Sequence, residues 1–401
     1  MPNIDYEQNQ ADFFNYIENC RKKIINSFFS KEELDRSNHI RINLLNKNAI
    51  DPATSIEDSI KIHRNNLIRI KIDHTMRIVE DVTKISQKIG ANVDFEKAVK
   101  VSALLHDIGR FDQAIYDNDY NDRTSRLFNP DKNETHTVFH GDYGYERLVN
   151  MGGFDEFHVP REYQAAIANV VKHHQDATLK GELNRKFKTV NELNLESILT
   201  GNYVMNEQEQ IITSALVQMV KDVDMLDILH QFLTGDVAVV NPTVQRKVGN
   251  KKIEDFCKEF GVTAKDLMEY NGLENGNLDG LAFIKIPTDK IKDKKVLDVP
   301  EDIKERFFRN EDMDLQELIS RNDWTFVVGV WWKLNHFLNN INFVSNLEVV
   351  EESNLLDDIY KLYPEEYKPL VFPAFEFAHD RLLRESIKLN EGNIYVEQKI
   401  R

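Results

Sequence analysis

The 401-residue sequence has only two cysteines, Cys20 and Cys257. That excludes a disulfide-built scaffold and a cysteine-rich structural zinc site, and it fits a reducing compartment. Proline is scarce, with 10 residues, and the longest apolar run, "FVVGVWW", is far too short to span a bilayer. Positive charge is in deficit as well: 51 Lys and Arg face 67 Asp and Glu, a formal net charge of −16. Such a field repels polymeric nucleic acid, whose binding rests on phosphate neutralisation. It leaves room for a small anionic substrate, because a metal or a few local cations can reverse the sign inside a pocket. The opening "MPNIDYEQNQ" is acidic and polar, unlike a secretory leader. The expectation is a cytoplasmic chain with no membrane and no polymeric nucleic acid as partner.

What the sequence does have is helical periodicity. Apolar residues recur at spacings of three and four in "FFNYIENCRKKIINSFF", "ALVQMVKDVDMLDILHQFL" and "DWTFVVGVWWKLNHFLNNINFV". The polar stretches Asp117–His136 and Thr178–Ser197 read as loops between helices. One segment, Lys247–Pro287, breaks the pattern and reads as strand, two helices and strand. The expected fold class is mainly α, a helical bundle with a small α+β insertion. The expected division is an N-terminal helical extension (1–60), a core (61–240), the insertion (245–290) and C-terminal helices packing on the core (291–401).

Several polar residues sit where an apolar stripe should continue. In "ALLHDIGR", His106 and Asp107 end an apolar helix that Gly109 then closes. His74 lies near Ile70, Ile78 and Val79, and His173 and His174 end "AAIANVVKHH". His140 stands in "HTVFHGDYGYERLV", and Asp224 shares a stripe with Val217, Val220 and Ile228. Buried imidazoles and carboxylates need partners. Taken together, these types point to a divalent metal held by N and O ligands inside a helical bundle.

The ordered set His74, His106–Asp107 and Asp224 resembles the signature of the HD-domain superfamily of metal-dependent phosphohydrolases, with "LLHDIG" its most recognisable element. In "KDVDMLD" that pattern falls on Asp224 rather than Asp222. The resemblance implies that His74, His106, Asp107 and Asp224 hold one ion. His140 with His173 or His174 would then hold a second, Asp107 bridging the two. It implies two divalent ions (Mn, Fe or Mg) and attack of an activated water on a small phosphoester, with a nucleotide or a nucleotide-derived compound as substrate. Arg110, Lys172 and Lys221 adjoin ligand positions and are the candidates, beside Asp107, for a direct part in catalysis. The Gly-Tyr-Pro element of cyclic-di-GMP-hydrolysing members is absent after the paired histidines. The same array in a minority of relatives holds two irons for oxygen chemistry, and a non-catalytic nucleotide sensor is the third reading.

"FGVTAKDLMEYNGL…FIKIP" resembles a LysM module, a βααβ fold whose family binds glycans. Its usual Gly-Asp-Thr opening is missing, so glycan binding is not expected, and a structural or protein-contact insertion is the favoured reading over a helix-turn-helix. His379–Asp380 reads as a solvated helix face, and His336 as a core histidine.

Overall fold

The computed structural model describes residues 4–46, 48–122, 125–128, 138–176, 179–184, 201–235, 238–322, 324–340 and 354–400. The expected loops Asp117–His136 and Thr178–Ser197 therefore lie partly outside the described residues. The chain is mainly helical, with a two-stranded sheet as its β component among the described residues. It forms two compact units, residues 1–227 and 228–401. No described helix is long and apolar enough to cross a membrane.

The first unit contains α1 (Tyr6–Ile25), α2 (Lys31–Asn46), α3 (Ile56–Lys88), α4 (Val93–Leu105), α5 (Ile108–Tyr116), α6 (His140–Val149), α7 (Gly153–Glu156), α8 (Arg161–His173) and most of α9 (Glu207–Thr234). Local chemistry sets where these helices start. Asp5, Ser55 and Asn92 cap α1, α3 and α4, their side chains accepting the backbone N–H three residues on. The centre of the bundle is α4. Phe95, Val99, Val101, Leu104 and Leu105 are each fully buried, and the helix packs against α1, α3 and α8. Cutting one of those leucines to alanine costs about 2–5 kcal/mol.

Gly109 does not close α4, as its place after the His-Asp pair suggests. The helix ends at Leu105, and Gly109 lies in the first turn of α5. Its role is close approach: a Cβ there would stand 2.7 Å from the carbonyl oxygen of His140. Gly141 is used the same way, since a Cβ would meet the Lys172 and Val171 carbonyls at 2.9 Å. These two missing side chains let α6 lie directly against α5 and α8.

The start of α2 yields a test. Ser30 and Glu33 cap it reciprocally, Glu33 N–H donating to Ser30 Oγ (3.2 Å) and Ser30 N–H to Glu33 Oε2 (2.9 Å). Arg126 also donates to Glu33. The Ser30 backbone N–H, helped by Arg126 and the Ser30 hydroxyl against partial burial, lowers the Glu33 carboxyl from 4.5 to about 2. A depressed acid stabilises above its unfolded value and loses that contribution as pH falls through the folded one. Glu33→Gln should therefore cost about 1 kcal/mol at neutral pH. The gap to wild type should narrow below pH 4.5 and close near pH 2 in paired thermal melts. A gap constant with pH would refute the assignment.

In the second unit, β1 (Thr243–Lys247) pairs antiparallel with β2 (Phe283–Pro287), Thr243 opposite Pro287 and Lys247 opposite Phe283. Between them lie α10 (Ile253–Phe260) and α11 (Ala264–Asn271). The strand–helix–helix–strand order is the expected one. Thr263 and Asp266 form a capping box on α11, and Asn271 binds both backbone groups of Lys285, tying α11 to β2. Arg246 is buried, its Nη1 donating to the Trp324 carbonyl (2.8 Å) and its guanidinium lying over the Phe260 ring.

The other α-helices among the described residues are α12 (Glu301–Phe308), α13 (Leu315–Ser320), α14 (Phe326–Asn340), α15 (Leu355–Leu362) and α16 (Lys368–Ile400). Trp331 of α14 is fully buried and donates to the Leu370 carbonyl at 3.0 Å. His336 stacks on Trp332 and bonds Asn340, as a packed histidine would. His379 and Asp380 are both exposed.

Candidate metal centre

Five elements of the first unit converge on Asp107. Residues 106 and 107 form the joint between α4 and α5, so both side chains leave the backbone at one point of the bundle. His74 comes from the middle of α3, His140 from the first residue of α6, His174 from the end of α8 and Asp224 from α9. His74, His106, Asp107, His140 and His174 are all buried, and the Asp224 side chain is partly exposed.

The distances divide the cluster in two. Asp107 Oδ2 lies 3.4 Å from His74 Nε2 and 3.5 Å from His106 Nε2. Asp224 Oδ1 is 3.2 Å from His74 Nε2. The other Asp107 oxygen, Oδ1, lies 3.3 Å from His140 Nε2 and 3.6 Å from His174 Nε2. Within each half the imidazoles face one another, His74 Nε2 to His106 Nε2 at 3.3 Å and His140 Nε2 to His174 Nε2 at 3.1 Å. Donor atoms of His74, His106 and Asp224, and again of His106, Asp107 and His174, all lie within 4.8 Å of each other.

The outer ring nitrogens determine what the inner ones can do. Nδ1 of His106 donates to the Ala103 carbonyl (2.6 Å) and Nδ1 of His174 to the Val171 carbonyl (2.8 Å). His74 Nδ1 donates to Asp227 Oδ2 at 2.5 Å, and His140 Nδ1 to Asp122 Oδ2 at 2.9 Å. A carbonyl only accepts, so the proton sits on Nδ1 and Nε2 carries a lone pair. Once His74 gives up its Nε2 proton, four inward lone pairs beside carboxylates make a donor set for a cation, and its N/O composition suits Mn, Fe or other first-row divalent ions.

In the chain by itself, His74 is an imidazole that gains charge and His140 one that is held neutral. Burial and Lys71 push the His74 imidazole down, but hydrogen bonds to Asp107, Asp224 and Asp227 outweigh them and raise it to about 10. Asp227 is held below the usual carboxylate range by His74 and Arg77 despite burial. Against the same burial penalty, Lys71 and then His106 and His140 hold Asp107 far down. On the other side, burial and Arg110 lower His140 in spite of its two carboxylates. A proton on His74 can relieve the first pair of facing nitrogens. His140 Nε2 and His174 Nε2 stand 3.1 Å apart beside Asp107 Oδ1, a place that positive charge from outside the chain would fit.

Residues 72–227 match the family model of the HD domain. This segment is similar to an HD domain. The match spans less than half of the chain, and it begins and ends within two or three residues of the first and last ligand candidates, His74 and Asp224. HD domains are in general metal-dependent phosphohydrolases that bind divalent ions. No curated protein and no solved structure matches the chain.

Four residues expected to act directly at the site make other contacts. His173 is one helical step from His174, about 100° around α8, and pairs with Asp176 at 2.8 Å instead. Lys172 lies over the Tyr145 ring, 4.9 Å from its centroid. Lys221 is buried beside the Met225 sulfur at 3.9 Å. Arg110 reaches Asp122, Gln113 and the Tyr120 carbonyl. The cation at the cluster is Lys71, whose Nζ is 2.5 Å from Asp107 Oδ2 and faces the Tyr120 ring.

Sequence reasoning missed Lys71, Arg77, Asp122 and Asp227. Three of them carried a signal. Lys71 and Arg77 flank His74 at three residues on either side, and Asp227 follows Asp224 by three, spacings that share a helix face. Asp122 belongs to a polar loop with no periodicity to expose it.

Proposed function

We propose that the chain hydrolyses a small phosphorylated substrate, a nucleotide or nucleotide-derived phosphoester, at a binuclear centre. His74, His106, Asp107 and Asp224 hold one ion, and Asp107, His140 and His174 hold the other. The observation that carries this reading is the division of Asp107, one oxygen toward each pair of histidines. When bound, two divalent ions supply Lewis acidity and a water of lowered pKa near neutral pH.

The protein's own groups do the remaining work. Lys71 brings the one ammonium found against Asp107 among the described residues, and it neutralises charge where a phosphate oxygen enters. Burial of the histidines keeps bulk water out and strengthens each charge interaction. Arg77 grips Asp227 through Nε (2.5 Å) and Nη2 (3.0 Å), and Asp227 holds the His74 ring at its working angle. Phosphate neutralisation falls to Lys71, which touches Asp107, rather than to Lys172, which lies over the Tyr145 ring, or Lys221, which is buried. In the second unit, we read the βααβ segment as a LysM-like structural or protein-contact insertion. Two helices set between paired strands support that reading.

The test separates hydrolysis from iron–oxygen chemistry. Metal-free protein is reconstituted with Mn²⁺ or Fe²⁺, with and without oxygen, over a panel of nucleotides and phosphomonoesters. Phosphate release with Mn²⁺ under anaerobic conditions is the expected result. Product formation only with iron, coupled to oxygen uptake, overturns it in favour of a di-iron oxygenase. Nucleotide binding with no turnover under any condition overturns it in favour of a sensor.

A further inference from the structure

The four histidines are tethered in two different ways, and position in the helix explains which. The last carbonyls of a helix have no intrahelical partner. His106 and His174 each cap the end of a helix, so the carbonyl three residues back is free to accept Nδ1–H. His74 sits in the middle of α3, where those carbonyls are already bonded, and His140 opens α6, with no helical turn before it. Both need an acceptor from elsewhere in the chain. Each finds a carboxylate, and each carboxylate is held by an arginine: Arg77–Asp227–His74 on one side, Arg110–Asp122–His140 on the other.

We propose that Arg110 and Asp122 form a positioning relay for the second ion, setting the tautomer and angle of His140, rather than binding substrate phosphate. The inference rests on the binuclear reading above. Arg110 Nη1 donates to Asp122 Oδ1 (2.5 Å), Gln113 Oε1 (2.7 Å) and the Tyr120 carbonyl (3.0 Å), and its side chain is only 13% exposed. Three acceptors, one on α5 and two on the segment that follows it, share the two hydrogens of this nitrogen and anchor the guanidinium. Asp122 Oδ2 takes both Nδ1–H of His140 and its backbone N–H (3.1 Å), so one carboxylate caps α6 and orients the ring that opens it. An anionic acceptor behind an imidazole raises the basicity of the nitrogen that faces the metal.

The experiment titrates metal-free protein with Mn²⁺, following heat and the electron paramagnetic resonance spectrum. Wild type should take two ions and show a spin-coupled pair. Asp122→Asn and Arg110→Gln should keep first-site affinity, weaken the second site about 10–100-fold, and at limiting Mn²⁺ show the spectrum of an isolated ion. Arg110→Lys should recover part of the loss, because an ammonium still faces Asp122 although it lacks the guanidinium fork. Second-site affinity unchanged in folded Asp122→Asn or in Arg110→Gln overturns the relay. A raised KM with intact metal binding in Arg110→Gln would instead make Arg110 a phosphate ligand. Wild type that binds fewer than two ions overturns the binuclear reading itself, a result distinct from any produced by the variants alone.

Discussion

Asp107→Ala should strip the protein of most of its bound metal and lower phosphoester hydrolysis about a thousandfold or more. The reason is geometric. Asp107 is, among the described residues, the side chain whose two oxygens meet separate pairs of histidine nitrogens, so its loss removes a ligand from both halves at once. It also leaves Lys71 without its 2.5 Å partner, placing an ammonium beside four imidazoles that must accept a cation. His379→Ala, at an exposed position on α16, should change neither metal content nor rate. Metal analysis of the three purified proteins is the check, with thermal melts to show that each is folded. Equal metal in wild type and Asp107→Ala would remove the basis for the proposed centre.

The adjacent histidines of α8 give the second large effect, and here two neighbouring residues should behave in opposite ways. His174→Ala should reduce the metal-to-protein ratio by about one and abolish most activity, since its Nε2 faces both His140 and Asp107. His173→Ala should keep both ions, because its ring is committed to Asp176. The expected cost there is that of a surface ion pair, about 0–1 kcal/mol of stability. Inductively coupled plasma mass spectrometry on both variants decides the matter. Loss of an ion from His173→Ala, with His174→Ala unaffected, would reverse the assignment.

Much of the bundle and part of the centre were legible in the chain. The apolar stripes mark α1, α4, α9 and α14, because a helix that buries one face must repeat its apolar residues at the helical period. Boundaries were less clear. "NSFF" continues the pattern of α1 past Asn26, where the helix stops, and Gly109 looks like a terminator but serves as a contact point. His74, His106, Asp107, His140, His174 and Asp224 stood out because each interrupts an apolar stretch or ends one, a pattern that costs stability unless a partner is supplied.

What the sequence by itself determined is the inventory: N and O donors without enough cysteine for a structural zinc site, an acidic chain, helical elements and a βααβ segment. Local rules are enough for that, since periodicity, capping and charge act over a few residues. Only the tertiary structure decided which of two neighbouring histidines turns inward, which oxygen of Asp107 meets which pair, and that Lys71 rather than Lys172 or Lys221 stands at the cluster. It also decided that Arg110 is occupied by Asp122. Those choices depend on how far one helix is rotated and how closely it lies against another. Contacts between residues 30 to 153 positions apart set both, and no local pattern encodes them.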